Sequence, residues 1–404
     1  MDKKRIIFLI IFIIATIVIG YLLYRVFFAP EKKAPVAERP GIGTPGEFPA
    51  AATGREERPA VKEPRTLPSA LPSARIPAPT EEAKPRITQV IDNSIKNPQA
   101  DKAGRVRFYN NIDGKFYRLN KDGTTEVLSD QTFYRVDTVT WSPTKDEAVL
   151  EYPDGANIYY NFATKKQVTL PKHWEEFSFS SLGDKIASKS IGLAPENRWL
   201  ITASPEGNDI ELIEPMGNNA DKVTVDWSPN KQIVALSLTG EPQGANRQEV
   251  LFVGLHGENF KSTIVEGRGI ISQWSPSGKR LLYSVYNARN DYKPELWIEN
   301  AEGDEIGTGR KILNINTWAD KCAFADERFV YCAAPNSLKR GAGFAPQTAD
   351  DTADTIYRID TETGLRAPIE TDESRTIKSM FLSDDGRNLY FTDKKQEGLF
   401  QLAL

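Results

Sequence analysis

Thr140-Trp141-Ser142-Pro143 closes an apolar strand, and a tight turn and a second apolar strand follow it. The unit returns as Asp226-Trp227-Ser228-Pro229 and as Gln273-Trp274-Ser275-Pro276. Weaker copies are Ser178-Phe179-Ser180-Ser181-Leu182-Gly183, Ala323-Phe324-Ala325-Asp326 and Phe381-Leu382-Ser383-Asp384-Asp385-Gly386. The most eroded is Pro98-Gln99-Ala100-Asp101, which reaches Gly104. The turn positions Gly104, Lys145, Gly183, Lys231, Gly278, Glu327 and Gly386 lie 38 to 59 residues apart. Self-similarity at that period is the mark of a β-propeller built from four-stranded blades. Seven units predict an all-β, seven-bladed β-propeller, with six blades as the alternative count.

The remainder of each unit agrees. A third strand, often aromatic, reads Asn157-Ile158-Tyr159-Tyr160-Asn161-Phe162, Glu295-Leu296-Trp297-Ile298 and Thr355-Ile356-Tyr357-Arg358-Ile359-Asp360. It ends in turns such as Asn120-Lys121-Asp122-Gly123, Pro205-Glu206-Gly207-Asn208 and Thr361-Glu362-Thr363-Gly364, whose Gly and Asn supply the positive φ of tight hairpins. A weaker fourth strand follows. Alternation with period two predominates past residue 88, as strands require. The chain stops after a third strand, Gly398 to Leu404, and the strand Ile87-Thr88-Gln89-Val90-Ile91-Asp92 stands before the first unit. That strand is expected to complete the last blade and close the ring, which removes open sheet edges.

The W-S-P-x-G-(K/R)-x-apolar pattern resembles the repeats of TolB-type propellers, which are WD-repeat-like in shape. The resemblance covers roughly 88–404. Lys145, Lys231 and Glu327 depart from it at the usual glycine of the turn, a local matter that leaves the fold intact. It implies a propeller, and since family members of the cell envelope bind other proteins, it implies a binding module.

Trp141, Phe179, Trp227, Trp274 and Phe324 are expected on innermost strands, buried between blades, where large aromatic areas contribute most. Proline then ends the strand because it cannot donate to the ladder. Connections divide by face. First-to-second and third-to-fourth turns share one face and read as short throughout. Second-to-third loops and blade-to-blade connections share the other and include long stretches: Ser190 to Arg198, Thr239 to Gln248, Tyr286 to Pro294 and Ala333 to Asp354. Long loops concentrate function. The last holds Lys339, Arg340, Phe344 and the acidic group Asp350, Asp351, Asp354. With His173, Trp174, Arg289, Tyr292 and Trp318, this face is the candidate binding surface.

The N-terminus reads differently. Ile6 to Tyr24 is an uncharged apolar run, long enough to cross a bilayer as a helix. Lys3, Lys4 and Arg5 precede it and place the N-terminus in the cytoplasm, although Arg25, Lys32 and Lys33 follow. The run exceeds a signal-peptide core and lacks a small-residue cleavage site, so an uncleaved anchor over 1–28 is expected, with membrane contact through residues 6–28. Residues 29–86 hold 12 of the 26 prolines and one aromatic, Phe48, which predicts a disordered, extended linker. The propeller then occupies 87–404, on the outer side of the cell membrane.

Charge and motifs exclude several classes. Residues 1–87 carry 14 Lys/Arg against 9 Asp/Glu, and 88–404 carry 37 against 46. An acidic folded region lacks the basic footprint that nucleic acid requires. H-E-x-x-H, G-x-S-x-G and phosphate-binding glycine loops are all missing. His173 and His256 fall in a loop and a turn. No cofactor and no metal site is expected, and the spacing of the loop aspartates is not that of a Ca²⁺ loop. Cys322 and Cys332 flank one hairpin and should oppose each other, within disulfide reach in an exported domain. The expected function is non-enzymatic: a membrane-anchored envelope module that binds a protein or cell-wall partner. The alternative is a glycan- or peptide-active hydrolase using carboxylates on the same face.

Overall fold

Each of the seven units forms a four-stranded antiparallel sheet. The computed structural model describes residues 86–404 apart from Pro242, together with Thr16 and Val18. The expected membrane helix and linker lie, but for Thr16, Val18 and Arg86, outside the described residues. Among the described residues no helix is long and apolar enough to cross a membrane.

Blade 1 comprises Ile95–Ala100, Val106–Asn110, Lys115–Leu119 and Thr125–Val127. Blade 2 comprises Thr138–Trp141, Glu147–Glu151, Asn157–Asn161 and Lys166–Leu170. Blade 3 comprises Trp174–Phe179, Ile186–Ile191, Arg198–Ala203 and Glu211–Pro215. Blade 4 comprises Val223–Val225, Ile233–Ser237, Gln248–Gly254 and Thr263–Val265. Blade 5 comprises Arg268–Trp274, Arg280–Tyr286, Pro294–Asn300 and Lys311–Ile312. Blade 6 comprises Cys322–Phe324, Phe329–Pro335, Asp354–Asp360 and Arg366–Ile369. Blade 7 takes Ile377–Leu382, Asn388–Asp393 and Leu399–Ala403 from the end of the chain, and its outer strand is Ile87–Ile91. Ile87 faces Leu402 and Gln89 faces Phe400, so the first strand closes the ring.

The core lies between blades. Phe116 is packed by Tyr109, Phe133, Trp141 and Phe162, with ring centroids 5.0 to 5.6 Å away. Trp141, Phe179, Trp227 and Trp274 are buried as expected, although Trp227 lies just past its strand Val223–Val225. Phe324, at the end of its strand Cys322–Phe324, is only half-buried. The indole N–H of Trp141 donates to Asn97 O at 2.9 Å in blade 1, and that of Trp274 to Asp226 O at 3.3 Å in blade 4. Each of these two tryptophans thus ties its polar edge to the preceding blade while burying its rings.

The departures at the turn glycine have distinct reasons. Lys231 keeps the left-handed conformation, with φ 65°. Lys145 and Glu327 lack a positive φ, and their carbonyls accept from Arg107 Nη1 at 2.7 Å and Arg280 Nη1 at 3.1 Å in the preceding blades. Cys322 and Cys332 are opposite residues in the blade 6 ladder and form a disulfide bond. Closing a loop of that length restricts the unfolded chain by about 2–3 kcal/mol.

One face departs from expectation. The third-to-fourth connections 204–210, 255–262 and 301–310 are long, and blades 4 and 5 have outer strands of only three and two residues. Beside them Glu299 is fully buried, accepting from Thr263 Oγ1 at 2.9 Å. Burial pushes its carboxyl up to about 7. The folded pKa exceeds the unfolded one, so this stability is present below about pH 4 and is lost as pH rises towards 7. Glu299→Gln is therefore expected to raise stability towards urea at pH 8, by up to about 3 kcal/mol, and to leave it unchanged at pH 4. A variant equally or less stable at both would contradict this.

Candidate functional site

The longest second-to-third loops are 192–197, 238–247, 287–293 and 336–353, in blades 3 to 6. They share a face with the blade-to-blade connections. Loop 336–353 is anchored at three places. Gly341 N donates to Asp291 O at 2.8 Å and Gly343 N to Tyr292 O at 2.7 Å, which joins it to the blade 5 loop. A side chain on Gly343 would lie 2.4 Å from Tyr286 Cβ, so this contact needs glycine. Ala342 and Ala349 pack on Trp318 under the loop. Lys394 pairs with Asp350, and Lys395 Nζ donates to Asp351 O at 2.9 Å, which joins the loop to blade 7.

This anchoring sorts the expected surface residues. Trp174 and Trp318 are 3% and 5% exposed and belong to the core, not to a binding surface. Trp174 begins the innermost strand of blade 3, and Trp318 holds the loop from beneath. Asp354 is likewise buried, with Lys321 Nζ 2.6 and 2.8 Å from its two oxygens. It does not join Asp350 and Asp351 as a surface acid. His173, Arg289 and Arg340 are exposed, and Tyr292 is half-buried. Phe344 is 61% exposed and meets Tyr286 and Tyr292 edge-on, with centroids at 5.7 and 5.9 Å.

Loops of this face hold three further exposed apolar side chains that the sequence reading passed over. Leu193 is 101% exposed, Tyr134 71% and Ile112 66%. They lie in connections of blades 3, 1–2 and 1. The available signal was an apolar residue among turn formers, as in Gly192-Leu193-Ala194 and Asn111-Ile112-Asp113.

A polar cavity of about 1030 Å³ opens where blades 7, 1 and 2 meet loop 336–353. Lys96, Asp137, Lys378, Asp351, Lys395 and Glu397 are among its lining residues. Glu151, half-buried on blade 2, has its carboxyl pushed up to about 7 by burial, and the charges of Glu176, Asp137 and Glu175 add to this. Glu176 is already engaged: Oε1 takes Lys189 Nζ at 2.6 Å and Oε2 takes Val225 N at 3.3 Å. Among the described residues, no three His, Cys, Asp or Glu side chains gather in a way that could hold a metal ion.

No protein-family model matches the chain, and a search of curated proteins finds no match. Solved structures do. The Cps50 (Swd1) β-propeller domain of Myceliophteria thermophila is 10% identical with a TM-score of 0.53, over 79% of this chain and 99% of that one. The fold is a seven-bladed β-propeller. An oligogalacturonate lyase in complex with manganese is 13% identical with a TM-score of 0.50, over 79% and 93%. The tricorn protease is 10% identical with a TM-score of 0.50, over 80% of this chain but 34% of that one, so this chain spans about a third of its length. At such identities the likeness is one of fold, and one fold carries many functions.

Proposed function

We propose that the chain is a membrane-tethered β-propeller of the cell envelope that binds a partner protein through its long-loop face and acts as a scaffold. In this reading residues 6–28 hold it in the cell membrane, the N-terminus is cytoplasmic and the propeller lies outside the cytoplasm. The observation that carries it is the greater exposure of the apolar side chains on loops of this face: Ile112, Tyr134, Leu193 and Phe344 are 61 to 101% exposed, against 42 to 73% for Leu182, Ile210, Leu365 and Leu404 on the other. Exposed large apolar side chains cost solvation, and a surface that collects them is suited to protein contact. The TolB-like repeat agrees with such a role, and the Cys322–Cys332 disulfide suits an oxidising compartment. In the hydrolase alternative Glu151 would act with Glu175, because, of its other acidic neighbours, Glu176 is held by Lys189 and a backbone N–H and Asp137 by Lys96.

The test compares partner capture from native envelope by the full chain and by two variants. Ile112→Ser/Leu193→Ser/Phe344→Ser is expected to reduce capture by roughly tenfold or more, because buried apolar anchors dominate such interfaces. Leu365→Ser, on the opposite face, should leave capture unchanged. Equal loss from both variants, or none from either, would remove the long-loop face as the binding surface.

A further inference from the structure

Between blades 4 and 5 of this face, three arginines converge on one carboxylate. Arg247 Nε lies 3.2 Å from Glu266, Arg289 Nη2 3.6 Å and Arg310 Nη2 3.8 Å. Arg268 directs Nε and Nη2 at the carbonyls of Ala245 and Gly244, at 2.6 and 3.1 Å. Among the described residues Glu266 is the one carboxylate in ion-pair contact with any of the four. It is the least exposed member of the group, and Arg247 and Arg289 reach past it into solvent. The cluster therefore carries uncompensated positive charge on a folded region whose 46 Asp/Glu outnumber its 37 Lys/Arg.

The cluster continues into the aromatic loop. Arg268 and Tyr286 are opposite residues in the blade 5 ladder, and Tyr286 meets Phe344. Lys339 and Arg340, in the same loop as Phe344, are exposed and have no ion-pair partner among the described residues. Exposed arginines beside an exposed aromatic ring have the composition of a protein-recognition hot spot.

The ligand chemistry follows from the residues. Glu266 shows that the guanidiniums of Arg247 and Arg289 are placed to take a carboxylate, for which their planar fork is suited, while Arg268, bound to the carbonyls of Ala245 and Gly244, adds its charge beside them. Length is limited by the surroundings. The attraction decays over roughly 8 Å at physiological salt, and beyond it a long polyanion meets an acidic domain. We propose that Arg247, Arg289 and Phe344, beside the charge of Arg268, receive a short acidic segment of the partner protein, with its carboxylates on Arg247 and Arg289 and an apolar side chain on Phe344. This rests on the protein-binding reading of the long-loop face.

The probe is a fluorescein-labelled peptide of glutamates around one phenylalanine, titrated with the full chain in detergent micelles and followed by anisotropy. Binding is expected to weaken by roughly tenfold or more in Arg247→Glu/Arg289→Glu and on raising salt from about 50 to about 300 mM. Arg247→Lys/Arg289→Lys should restore part of it, because charge returns without the fork. Phe344→Ala should lose roughly fivefold, as for truncation of an interface aromatic. The same peptide with lysine for glutamate should not bind. Equal binding of both peptides, no effect of charge reversal, or binding of polyphosphate or polygalacturonate in preference to the peptide would each overturn the proposal. Partner capture that persists in Arg247→Glu/Arg289→Glu but fails in the Ile112/Leu193/Phe344 variant would overturn the patch and leave the face intact.

Discussion

A chain shortened to begin at Asn93 is expected to lose the native fold, whereas one beginning at Arg86 should keep it. The shorter chain lacks the closing strand Ile87–Ile91. Ile87 and Ile91 are buried, and each contributes about 2 kcal/mol by burial. Ile87 N also donates to Asp372 Oδ1 at 2.9 Å. Leu399, Phe400 and Leu402, fully buried on the neighbouring strand, would lose their cover, and that strand would become an open edge prone to pairing with other chains. Together these losses reach about 5 kcal/mol or more, comparable with the whole stability of a typical domain. A milder form of the same test is Gly398→Ala. Gly398 has φ +116°, and a Cβ there would lie 2.1 Å from Ile91 O, so the closing strand must shift. Urea unfolding followed by tryptophan fluorescence should show a lost or lowered transition in both. Unchanged midpoints would mean that the ring does not depend on this strand.

Asp354→Ala is expected to cost about 3–5 kcal/mol, because it leaves Lys321 buried without its counter-charge. Asp354 Oδ2 also accepts from Ile377 N at 2.7 Å, so the variant also orphans a backbone donor where blade 6 meets blade 7. Lys321→Met/Asp354→Leu removes both charges and should recover much of the loss, since well-packed apolar replacements of buried ion pairs are often neutral. The midpoints in urea at pH 7 check this. If the double variant were as unstable as Asp354→Ala, the penalty would lie in packing and not in the unpaired lysine.

The blade count, the innermost tryptophans and the closing strand were legible in the sequence because each has a local signature. Trp-Ser-Pro marks where a strand stops, period-two alternation marks a half-buried strand, and Ile87–Ile91 stands as a strand outside the first repeat unit. Pairings distant in sequence were not legible. Lys321 and Asp354 are separated by the whole of loop 336–353, and nothing local distinguishes a buried Asp354 from the neighbouring Asp350 and Asp351. Trp174 and Trp318 looked like loop residues because they stand at blade connections, yet a large ring at a strand entrance is drawn into the space between blades. The three arginines around Glu266 come from three separate segments and meet only once blades 4 and 5 are side by side.

The most direct measurement is site-specific photo-cross-linking in intact cells, with the photoreactive residue placed in turn at Leu193, Phe344, Leu182 and Leu365. Leu193 and Phe344 lie on the long-loop face, and Leu182 and Leu365 on the turns of the opposite face. The expected result is one common protein adduct from Leu193 and Phe344 and none from Leu182 or Leu365. Adducts from the opposite face alone, or the same adduct from all four positions, would contradict a binding surface on the long loops.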